Sequence, residues 1–487
     1  MLRVVNPYDR VRYPGQPFAF THPTATGALA ALFGRRFTPF GASRVLELGC
    51  GEGVNLLNMA LGAPNAEFVG VDLAEAPIAL ARAAAEGCGC VNVRFHTCDL
   101  ADIYVTFGRF DYVIAHGLYA WIPKEARAAL MRVAGERLAA DGLALISYNA
   151  LPGARFRQAM RDILLTVTEG VEDPAARLTL ARAFLTEQIE VWADSEADEY
   201  VMKNEARRIL TRAPEVLFHD ELGQDYAPRR LNDAIADAAR NGLGYMCDAE
   251  PRLSEEAFFP SDTFAATHQR AGGDWSRFEQ LADFRAMRAF RHSIFFRGGA
   301  TDPRPEPARL MGLWASGELT VAQPDPNAPG GAAFEASGGV SFTTNDPKLV
   351  EFLTALAETF PLALPLDAAA ADARLANHVF RLFFRQAIRI ATAQAPLVVV
   401  PSERPSVSAL ARFQAANGES KLATLRHNMI LVEDVSVRAL VPLIDGTRTR
   451  ADLARELARR DQVSSEEAAT KLDETLAKVA EFGLLAA

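Results

Sequence analysis

Short apolar runs alternate with amphipathic stretches between Ser43 and Asn149. The apolar runs predict strands, at Arg44–Leu48, Glu67–Asp72, Val91–His96, Phe110–Ala115 and Leu143–Tyr148. The stretches between them have the apolar spacing of helices, at Val54–Leu61, Ala76–Glu86 and Glu125–Ala139. Alternation of this kind predicts a doubly wound α/β domain with a mostly parallel sheet. Because ligands of such sheets bind beyond the carboxyl ends of the strands, we expect the site in the loops after Leu48, Asp72, His96 and Ala115.

The pattern changes after Pro152-Gly153 and becomes mainly helical. Amphipathic helices are predicted first at Phe156–Glu169 and Pro174–Asp194, with a further acidic helical stretch to Leu210. The segment from Val216 to Arg297 is mixed but mainly helical, with helices predicted over Arg229–Asn241 and Arg277–Phe296. The Pro- and Gly-rich segment Gly298–Pro307 predicts a linker.

The last third contains two stretches of similar pattern, Ser341–Ile390 and Asn428–Leu485. Each runs from a strand into helices in a winged-helix-like order, with Asp346 as an expected helix N-cap in the first. An internal repeat and a chance similarity both remain open. The basic residues of the helix Arg450–Arg460 are balanced by acidic ones, which favours a structural or protein-docking role over DNA binding.

These changes of pattern divide the chain into five predicted parts. They are an N-terminal arm with the α/β domain (1–152), a helical segment (153–212), a middle domain (213–300), a winged-helix-like module (301–400) and a C-terminal winged-helix-like domain (401–487).

Composition restricts the class of protein further. The chain has 487 residues and a net charge of −10, so it is a poor general binder of nucleic acid. It contains no apolar run long enough to span a membrane and no apolar leader near Met1. Five cysteines, an odd and sparse set, indicate reduced thiols and a cytoplasmic location. Cys88 and Cys90 have no further ligands at metal-binding spacing, so we predict no metal site.

The strongest local motif is the glycine loop that follows the first strand. Gly49, Gly51 and Gly53 alternate before a helix, and the acidic Glu47 precedes them. The glycines let the backbone turn tightly and approach a ligand. A dinucleotide fingerprint would place its third glycine one position later, and Glu47 would repel a pyrophosphate. The combination suits a ligand with a cationic amino group and resembles motif I of class I methyltransferases, which use S-adenosylmethionine.

Two more carboxylates fall at strand ends where this class contacts its cofactor. Asp72 ends the second strand and is expected to accept hydrogen bonds from the ribose hydroxyls, and Asp99 follows the third strand near the adenine. Aspartates are common in loops, but three acidic residues in register at three strand ends favour the cofactor site. The resemblance predicts the following cofactor-binding residues: Tyr13, His22, Glu47, Gly49, Cys50, Gly51, Gly53, Asn55, Asp72, Leu73, Asp99, Leu100 and His116.

Three sequence strings outside the glycine loop indicate which group of methyltransferases the chain resembles. They are the aromatic and proline residues from Tyr13 to Pro23, the string His116-Gly-Leu-Tyr-Ala-Trp-Ile-Pro123 after the fourth strand, and Tyr148-Asn-Ala-Leu-Pro-Gly153 after the fifth. Together they resemble the bacterial methyltransferases that carry a methyltransferase regulatory domain. Within that group the chain is similar to the rickettsial outer-membrane-protein lysine methyltransferases. Ala120 and Ala150 depart from the usual residues of these strings, so the substrate preference is open.

The resemblance implies a Rossmann-like catalytic domain, a helical dimerisation segment, a middle regulatory domain and winged-helix-like C-terminal modules. It implies methyl transfer from S-adenosylmethionine, with S-adenosylhomocysteine as product, to lysine side chains of a protein by in-line displacement. A protein substrate and a homodimer are therefore expected partners, with an outer-membrane or surface protein met before export as one candidate. Two alternatives stay open: a small-molecule N- or O-methyltransferase, and a non-catalytic protein that binds the cofactor and docks a partner.

Five residues are candidates for the reaction itself. Tyr119 and Trp121 could wall a slot for the acceptor amine, or only pack on the sheet. Tyr148 and Asn149 could orient the amine, or form the turn that follows. His116 is either a proton acceptor or a structural imidazole. Tyr13, Phe20 and His22 are expected either to cover the cofactor or to form a packed arm without contact to it.

Overall fold

A mixed sheet organises the first three fifths of the chain. The structure is a computed structural model and describes residues 6–103, 107–251, 261–299, 304–322 and 331–486. The strands of this sheet are β1 (Arg44–Leu48), β2 (Glu67–Asp72), β3 (Val93–Thr97), β4 (Phe110–Ala115), β5 (Leu138–Asn149), β6 (Leu243–Asp248) and β7 (Phe290–Arg297). In the described residues their order is β3-β2-β1-β4-β5-β7-β6. The first five strands pair in parallel and β7 is antiparallel to both neighbours, which confirms the predicted α/β fold.

Helices cover both faces of the sheet and extend beyond it. Those of the first domain are α1 (Pro7–Arg10), α2 (Pro23–Leu32), α3 (Val54–Gly62), α4 (Glu75–Gly87) and α5 (Lys124–Arg137). The helical segment consists of α6 (Ala154–Val167), α7 (Pro174–Val191), α8 (Ala197–Leu210) and α9 (Pro214–Leu222), and the helices near the sheet edge are α10 (Leu231–Ala239), α11 (Ser261–Ala271) and α12 (Trp275–Ala286). The four helices α6–α9 share a small apolar core of their own, centred on Met160 and Leu164.

The helix predicted over Arg277–Phe296 is wrong in its second half. Helix α12 ends at Ala286, where Met287 has a left-handed backbone with φ 49°, and Phe290–Arg297 forms strand β7. The strand lies between β5 and β6, so Arg291 to Phe296 are all buried and the alternation typical of a half-exposed strand is missing. Strands β6 and β7 thus complete the sheet of the first domain from a segment far along the chain.

The region after residue 304 begins with two small antiparallel sheets. Its strands are β8 (Trp314–Ser316), β9 (Leu319–Ala322), β10 (Ala332–Ala336), β11 (Ser341–Thr344), β12 (Leu364–Pro365) and β13 (Arg389–Ala391), and its helices are α13 (Pro347–Thr359), α14 (Asp367–Ala370) and α15 (Ala373–Phe384). Asp346 caps α13 by accepting from the backbone N–H groups of Lys348 and Leu349, which confirms the predicted N-cap. The core of this region includes Ala28 and Leu32 of α2, so it packs on the first domain.

The C-terminal region is mainly helical around a hairpin. It contains α16 (Ala409–Ala416), β14 (Lys421–Ala423), β15 (Met429–Leu431), α17 (Val435–Leu440), α18 (Arg450–Asp461) and α19 (Ser465–Glu481). Thr449 and Asp452 form a capping box at the start of α18. Leu410 and Ala423 join the same apolar core as α3, so this region also docks on the first domain. Among the described residues, no helix is both long and apolar enough to cross a membrane.

Candidate functional site

The glycine loop joins the end of β1 to the start of α3. Gly49, Gly51 and Gly53 have φ values of 72°, 51° and 68°, a left-handed conformation that side chains disfavour. The backbone N–H groups of Gly49 and Cys50 donate to Val71 O over 2.8 and 3.1 Å, which ties the loop to β2. The loop is therefore held open at the carboxyl edge of the sheet, where the sequence placed it.

The three glycines are required for different reasons. A Cβ at Gly53 would lie 2.5 Å from the Phe95 ring, and one at Gly49 would lie 2.9 Å from Leu118, so both positions are limited by packing. A Cβ at Gly51 would meet nothing within 4 Å. Gly51 therefore faces open space, as expected of the position that a ligand approaches.

Glu47 is a buried carboxylate with one free oxygen. Its side chain is 5% exposed, and its Oε1 accepts a hydrogen bond of 2.7 Å from Asn55 Nδ2. Its Oε2 is buried without a hydrogen-bond partner. Burial raises the pKa of Glu47 to about 8. A ligand ammonium group beside Oε2 would satisfy this acceptor and favour its charged form, so the residue fits the amino group of S-adenosylmethionine.

Asp72 lies across the loop from Glu47 and is held by backbone donors. Its Oδ2 accepts from Gly51 N and its Oδ1 from Ala74 N, each over 2.9 Å. Burial raises the pKa of Asp72, while these donors oppose the shift. Each carboxylate oxygen keeps a second lone pair, so the group can still accept from two ligand hydroxyls. The adjacent Leu73 is 59% exposed.

Asp99 and Leu100 begin the next loop along the same edge. Cys98 N donates to Asp72 O over 2.8 Å, so the loops that follow β2 and β3 run side by side. The Asp99 carboxylate is exposed and accepts from Ala101 N over 2.8 Å, which caps a short 3-10 turn at Leu100–Asp102. The four predicted positions Glu47, Gly51, Asp72 and Asp99 thus follow one edge of the sheet.

The N-terminal arm lies over the glycine loop. Arg12 forms an ion pair with Glu52 at 2.5 Å, and Phe18 N donates to Asn55 Oδ1 over 3.0 Å. Tyr13 points away to helix α9, where its hydroxyl lies 3.5 Å from Asp220 Oδ1. His22 caps α2 through its Nδ1, so its side chain has a structural partner. The roles predicted for Tyr13 and His22 at the cofactor remain predictions.

An aromatic and histidine cluster lies at the other end of this edge, after β4. The His116 ring is 4.1 Å from the Phe18 ring and 5.1 Å from the Phe20 ring, measured between centroids. Phe290 and His292 of β7 complete the cluster, at 6.2 and 5.8 Å from His116. Burial lowers the pKa of His116 to about 3, so the imidazole is neutral, and its Nδ1 is buried without a partner. We call these five residues the aromatic cluster.

Asn149 ends β5 next to the aromatic cluster and pairs in register with Phe290. It is 4% exposed, and its side-chain oxygen has no hydrogen-bond partner. The neighbouring Ser147 accepts from Gly117 N over 2.8 Å, which fixes the turn after His116. A buried unpaired ring nitrogen of His116 and a buried unpaired amide oxygen of Asn149 therefore flank the same region, where a polar ligand group would stabilise them.

The other three candidates have partners within the protein. Tyr119 is fully buried and its hydroxyl donates to Asp237 over 2.5 Å. Tyr148 is 1% exposed and its hydroxyl lies 2.9 Å from Ser293 Oγ. The Trp121 ring is covered by the guanidinium groups of two arginines of α6, Arg157 and Arg161. None of these three rings walls an open slot in this structure; they pack beneath the edge, and their predicted catalytic roles stay untested.

Sequence reasoning missed Phe18, Phe290 and His292. The last two lie about 170 residues after His116 in sequence and reach it only because β7 pairs with β5. The adjacent Arg291 holds that strand by buried ion pairs with Glu279 and Asp283 at 2.9 and 2.7 Å. The string Phe290-Arg-His292 is the local signal for these two residues, but the sequence pattern predicts a helix there. Within the described residues, no group of three or more His, Cys, Asp or Glu side chains could hold a metal ion.

Three family models match parts of the chain. A methyltransferase domain matches residues 45–142, a predicted methyltransferase regulatory domain matches 213–297, and a PKMT C-terminal winged helix domain matches 403–481. An uncharacterized protein of Rickettsia prowazekii is 34% identical over 292 residues, which cover 59% of this chain and 52% of the relative. The chain therefore spans about half the length of that relative. A second protein of this species is 31% identical over 220 residues, 45% of this chain and 87% of the relative.

The fold is similar over nearly its whole length to a solved structure, PKMT2 from Rickettsia typhi. The TM-score is 0.84 at 22% identity, and the match covers 97% of this chain and 99% of that one. A second structure of that protein is a complex with AdoHcy and gives a TM-score of 0.83 at 23% identity, with the same coverage of 97% and 99%. At this level of identity the likeness concerns the fold.

Proposed function

We propose that this chain transfers a methyl group from S-adenosylmethionine to lysine side chains of a protein. The chain belongs to the bacterial methyltransferases that combine a methyltransferase domain, a methyltransferase regulatory domain and a PKMT C-terminal winged helix domain. The observation that carries the proposal is the shared edge of the sheet. A free buried carboxylate oxygen of Glu47 lies at one end, and the apolar aromatic cluster lies at the other.

The cofactor end binds by charge and hydrogen bonding. S-adenosylmethionine supplies an electrophilic methyl group on a sulfonium. Glu47 Oε2 would bind the ammonium group of the cofactor, and Asp72 would accept from its ribose hydroxyls. The protein backbone of the Gly49–Gly53 loop would lie close to the cofactor. Asp99, exposed at the next strand end, would accept from the adenine amino group. Cys50 lies within the glycine loop, and Leu73 directly follows Asp72 at the end of β2.

The acceptor end favours an amine in its neutral, nucleophilic form. The rings of Phe18, Phe20 and Phe290 surround the approach with apolar surface, which lowers the pKa of a lysine ammonium that enters. The Asn149 side-chain oxygen is a free acceptor that can orient the amine hydrogens, and His116 Nδ1 is also buried without a partner. The pKa of about 3 keeps the His116 imidazole neutral, so the ring adds no charge to the region, and the amine proton leaves to solvent as the lysine enters. Tyr119, Trp121 and Tyr148 support this region from below.

Methyl transfer to protein lysine is tested with the full chain and methyl-labelled cofactor. Unfolded surface proteins are one acceptor pool, free lysine and small metabolites the other, and tryptic peptides are searched for methyl additions on lysine. Glu47→Gln is the loss-of-function variant, since it keeps the bond from Asn55 but removes the charge. Glu86→Gln, on an exposed face of α4, is its matched control. Label confined to the small molecules would favour the small-molecule alternative, and bound cofactor without turnover would favour the non-catalytic one.

We further propose a homodimer formed through the helical segment 153–212 and action in the cytoplasm before export of the substrate. Phe156, Leu180 and Val191 on helices α6 and α7 are 40%, 40% and 70% exposed, and this apolar surface is available to a second copy of the segment. All five cysteines are free thiols, which supports action in the reducing cytoplasm. The mass in solution, measured by light scattering, should be twice the 52.9 kDa of one chain and should fall to that value in Leu180→Glu. A monomeric mass for the unmodified chain would refute the dimer.

A further inference from the structure

The hairpin of the C-terminal region reaches the cofactor site of the first domain. Strands β14 and β15 pair from Lys421↔Leu431 to Ala423↔Met429, and the tip between them contains His427. His427 has a left-handed backbone with φ 59°, a conformation that costs energy for a residue with a side chain. Its side chain is 5% exposed although it lies at the tip of a loop. The strain and the burial together indicate that the tip is shaped to insert this ring.

The ring contacts two asparagines on consecutive turns of α3. His427 Nε2 lies 2.8 Å from Asn55 Oδ1, and His427 Nδ1 lies 3.0 Å from Asn58 Nδ2. Asn58 Nδ2 also donates to Thr424 O over 3.0 Å, which identifies it as the amide nitrogen. Nδ1 therefore accepts, and Nε2 carries the proton and donates to Asn55. Burial holds the pKa of His427 well below its usual range, consistent with this neutral tautomer.

Asn55 connects this bond to the cofactor carboxylate. Its Nδ2 donates to Glu47 Oε1 over 2.7 Å. Its Oδ1 accepts from His427 Nε2 at 2.8 Å, from Phe18 N at 3.0 Å and from the Thr21 hydroxyl at 3.1 Å. The amide N–H that donates to Glu47 can point only one way when these bonds are made to the oxygen at the other end of the amide. The bond to Oε1 also leaves Oε2 as the free oxygen of the carboxylate. Three segments far apart in sequence thus orient one side chain.

We propose that His427 is a positioning residue of the cofactor site: by holding the Asn55 amide it keeps Glu47 Oε2 turned toward the ammonium group of the cofactor, so that the C-terminal region sets cofactor affinity. His427 acts through Asn55 and touches no reacting atom. The inference rests on the cofactor part of the proposed function and is independent of the acceptor.

The first test measures binding of S-adenosylhomocysteine to the full chain by calorimetry, so it needs no turnover. His427→Phe keeps a ring of similar size beside His22, at present 4.9 Å away, but loses both hydrogen bonds. We expect its Kd to rise about tenfold, the usual worth of one such bond. His427→Gln restores an N–H donor and should keep the Kd within about threefold of the unmodified chain.

A control variant distinguishes the effect of docking the C-terminal region from the effect of positioning the Asn55 amide. Phe413 of α16 packs against Gly87 of α4, on the same interface but away from Asn55. Phe413→Ala should lower the Tm at least as much as His427→Phe, while its Kd for S-adenosylhomocysteine stays within about twofold. An equal rise of Kd in Phe413→Ala would show that docking alone matters and would overturn the proposal.

A double-mutant cycle tests the route through Asn55. If His427 acts through that amide, His427→Phe adds little to the Kd once Asn55→Ala is present. Additive losses, or an unchanged Kd in His427→Phe alone, would overturn the proposal while leaving the proposed function intact. If the unmodified chain bound no S-adenosylhomocysteine, the proposed function would fail and this inference with it.

Discussion

The two ends of the carboxyl edge of the sheet are built in opposite ways. At the cofactor end, Glu47 to Asp72 are close in sequence, and their two buried carboxyl groups accept from backbone and amide donors. At the proposed acceptor end, Phe18, His116 and Phe290 come from three distant segments and offer apolar rings with a neutral imidazole. The first arrangement suits a charged ligand of fixed shape, and the second suits an amine that must lose its charge before it reacts.

The difference also extends to what stabilises each end. The cofactor end depends on the loop backbone and, through Asn55, on the arm and the C-terminal hairpin. The acceptor end depends on β7, which is held by Arg291 among the buried acids Glu279, Asp283 and Asp248. Damage to one support should therefore leave the function of the other end measurable.

The largest effect is expected from Arg291→Leu. The guanidinium is 1% exposed, and its removal breaks the buried ion pairs with Glu279 and Asp283, at a cost of about 3–5 kcal/mol in the free energy of unfolding. Chemical denaturation measures this loss. Where the variant remains folded, methyl transfer should fall while the Kd for S-adenosylhomocysteine changes little. Arg285→Leu, on the exposed side of α12, is the control and should change neither.

A pair of glycine variants separates packing from ligand approach at the cofactor end. Gly51→Ala places a methyl group in open space, so its stability cost is limited to that of a side chain at φ 51°, about 1–2 kcal/mol, while cofactor Kd rises about 100-fold. Gly53→Ala would bring its Cβ to within 2.5 Å of the Phe95 ring. This variant should therefore bind cofactor more weakly and also have a Tm several degrees lower. If both variants bound cofactor like the unmodified chain, the loop would not be the binding site.

His116→Leu tests the acceptor end alone. It keeps the apolar packing of the aromatic cluster but removes the polar atom Nδ1, so kcat should fall about tenfold, the usual worth of one orienting hydrogen bond. Cofactor Kd should stay within about twofold. Single-turnover kinetics and calorimetry on the same sample provide both values. A rise in Kd with unchanged kcat would instead place His116 at the cofactor.

The smallest effect is a pH dependence that arises at Glu47. Its pKa is raised from 4.5 when unfolded to about 8 when folded, so the free protein loses stability as pH rises between those values. Glu47→Gln removes this loss, so its Tm relative to the unmodified chain should increase by about a few degrees from pH 5 to pH 8. Saturating S-adenosylhomocysteine should reverse the order at pH 8. A Tm difference that is constant with pH would contradict the buried, uncompensated carboxylate.

Periodicity located most of the first sheet. The strands at Arg44–Leu48, Glu67–Asp72 and Phe110–Ala115 are confirmed at both ends, because each is a short buried run bounded by turn residues. Strand β5 begins at Leu138 rather than Leu143, where the predicted helix had been extended to Ala139. Helix α17 ends at Leu440, because Pro442 has no N–H for the helical ladder, and a 3-10 turn follows at Val441–Leu443.

The amino-acid sequence is enough to predict the α/β domain, the glycine loop and the acidic residues at three strand ends, since these depend on local backbone geometry and on chemistry at fixed spacing. Long-range packing sets which rings meet at His116, adds β6 and β7 to the sheet and brings His427 onto Asn55. These contacts join residues up to 372 positions apart. No local preference encodes such a pairing, because it follows from how whole elements pack to bury their apolar faces.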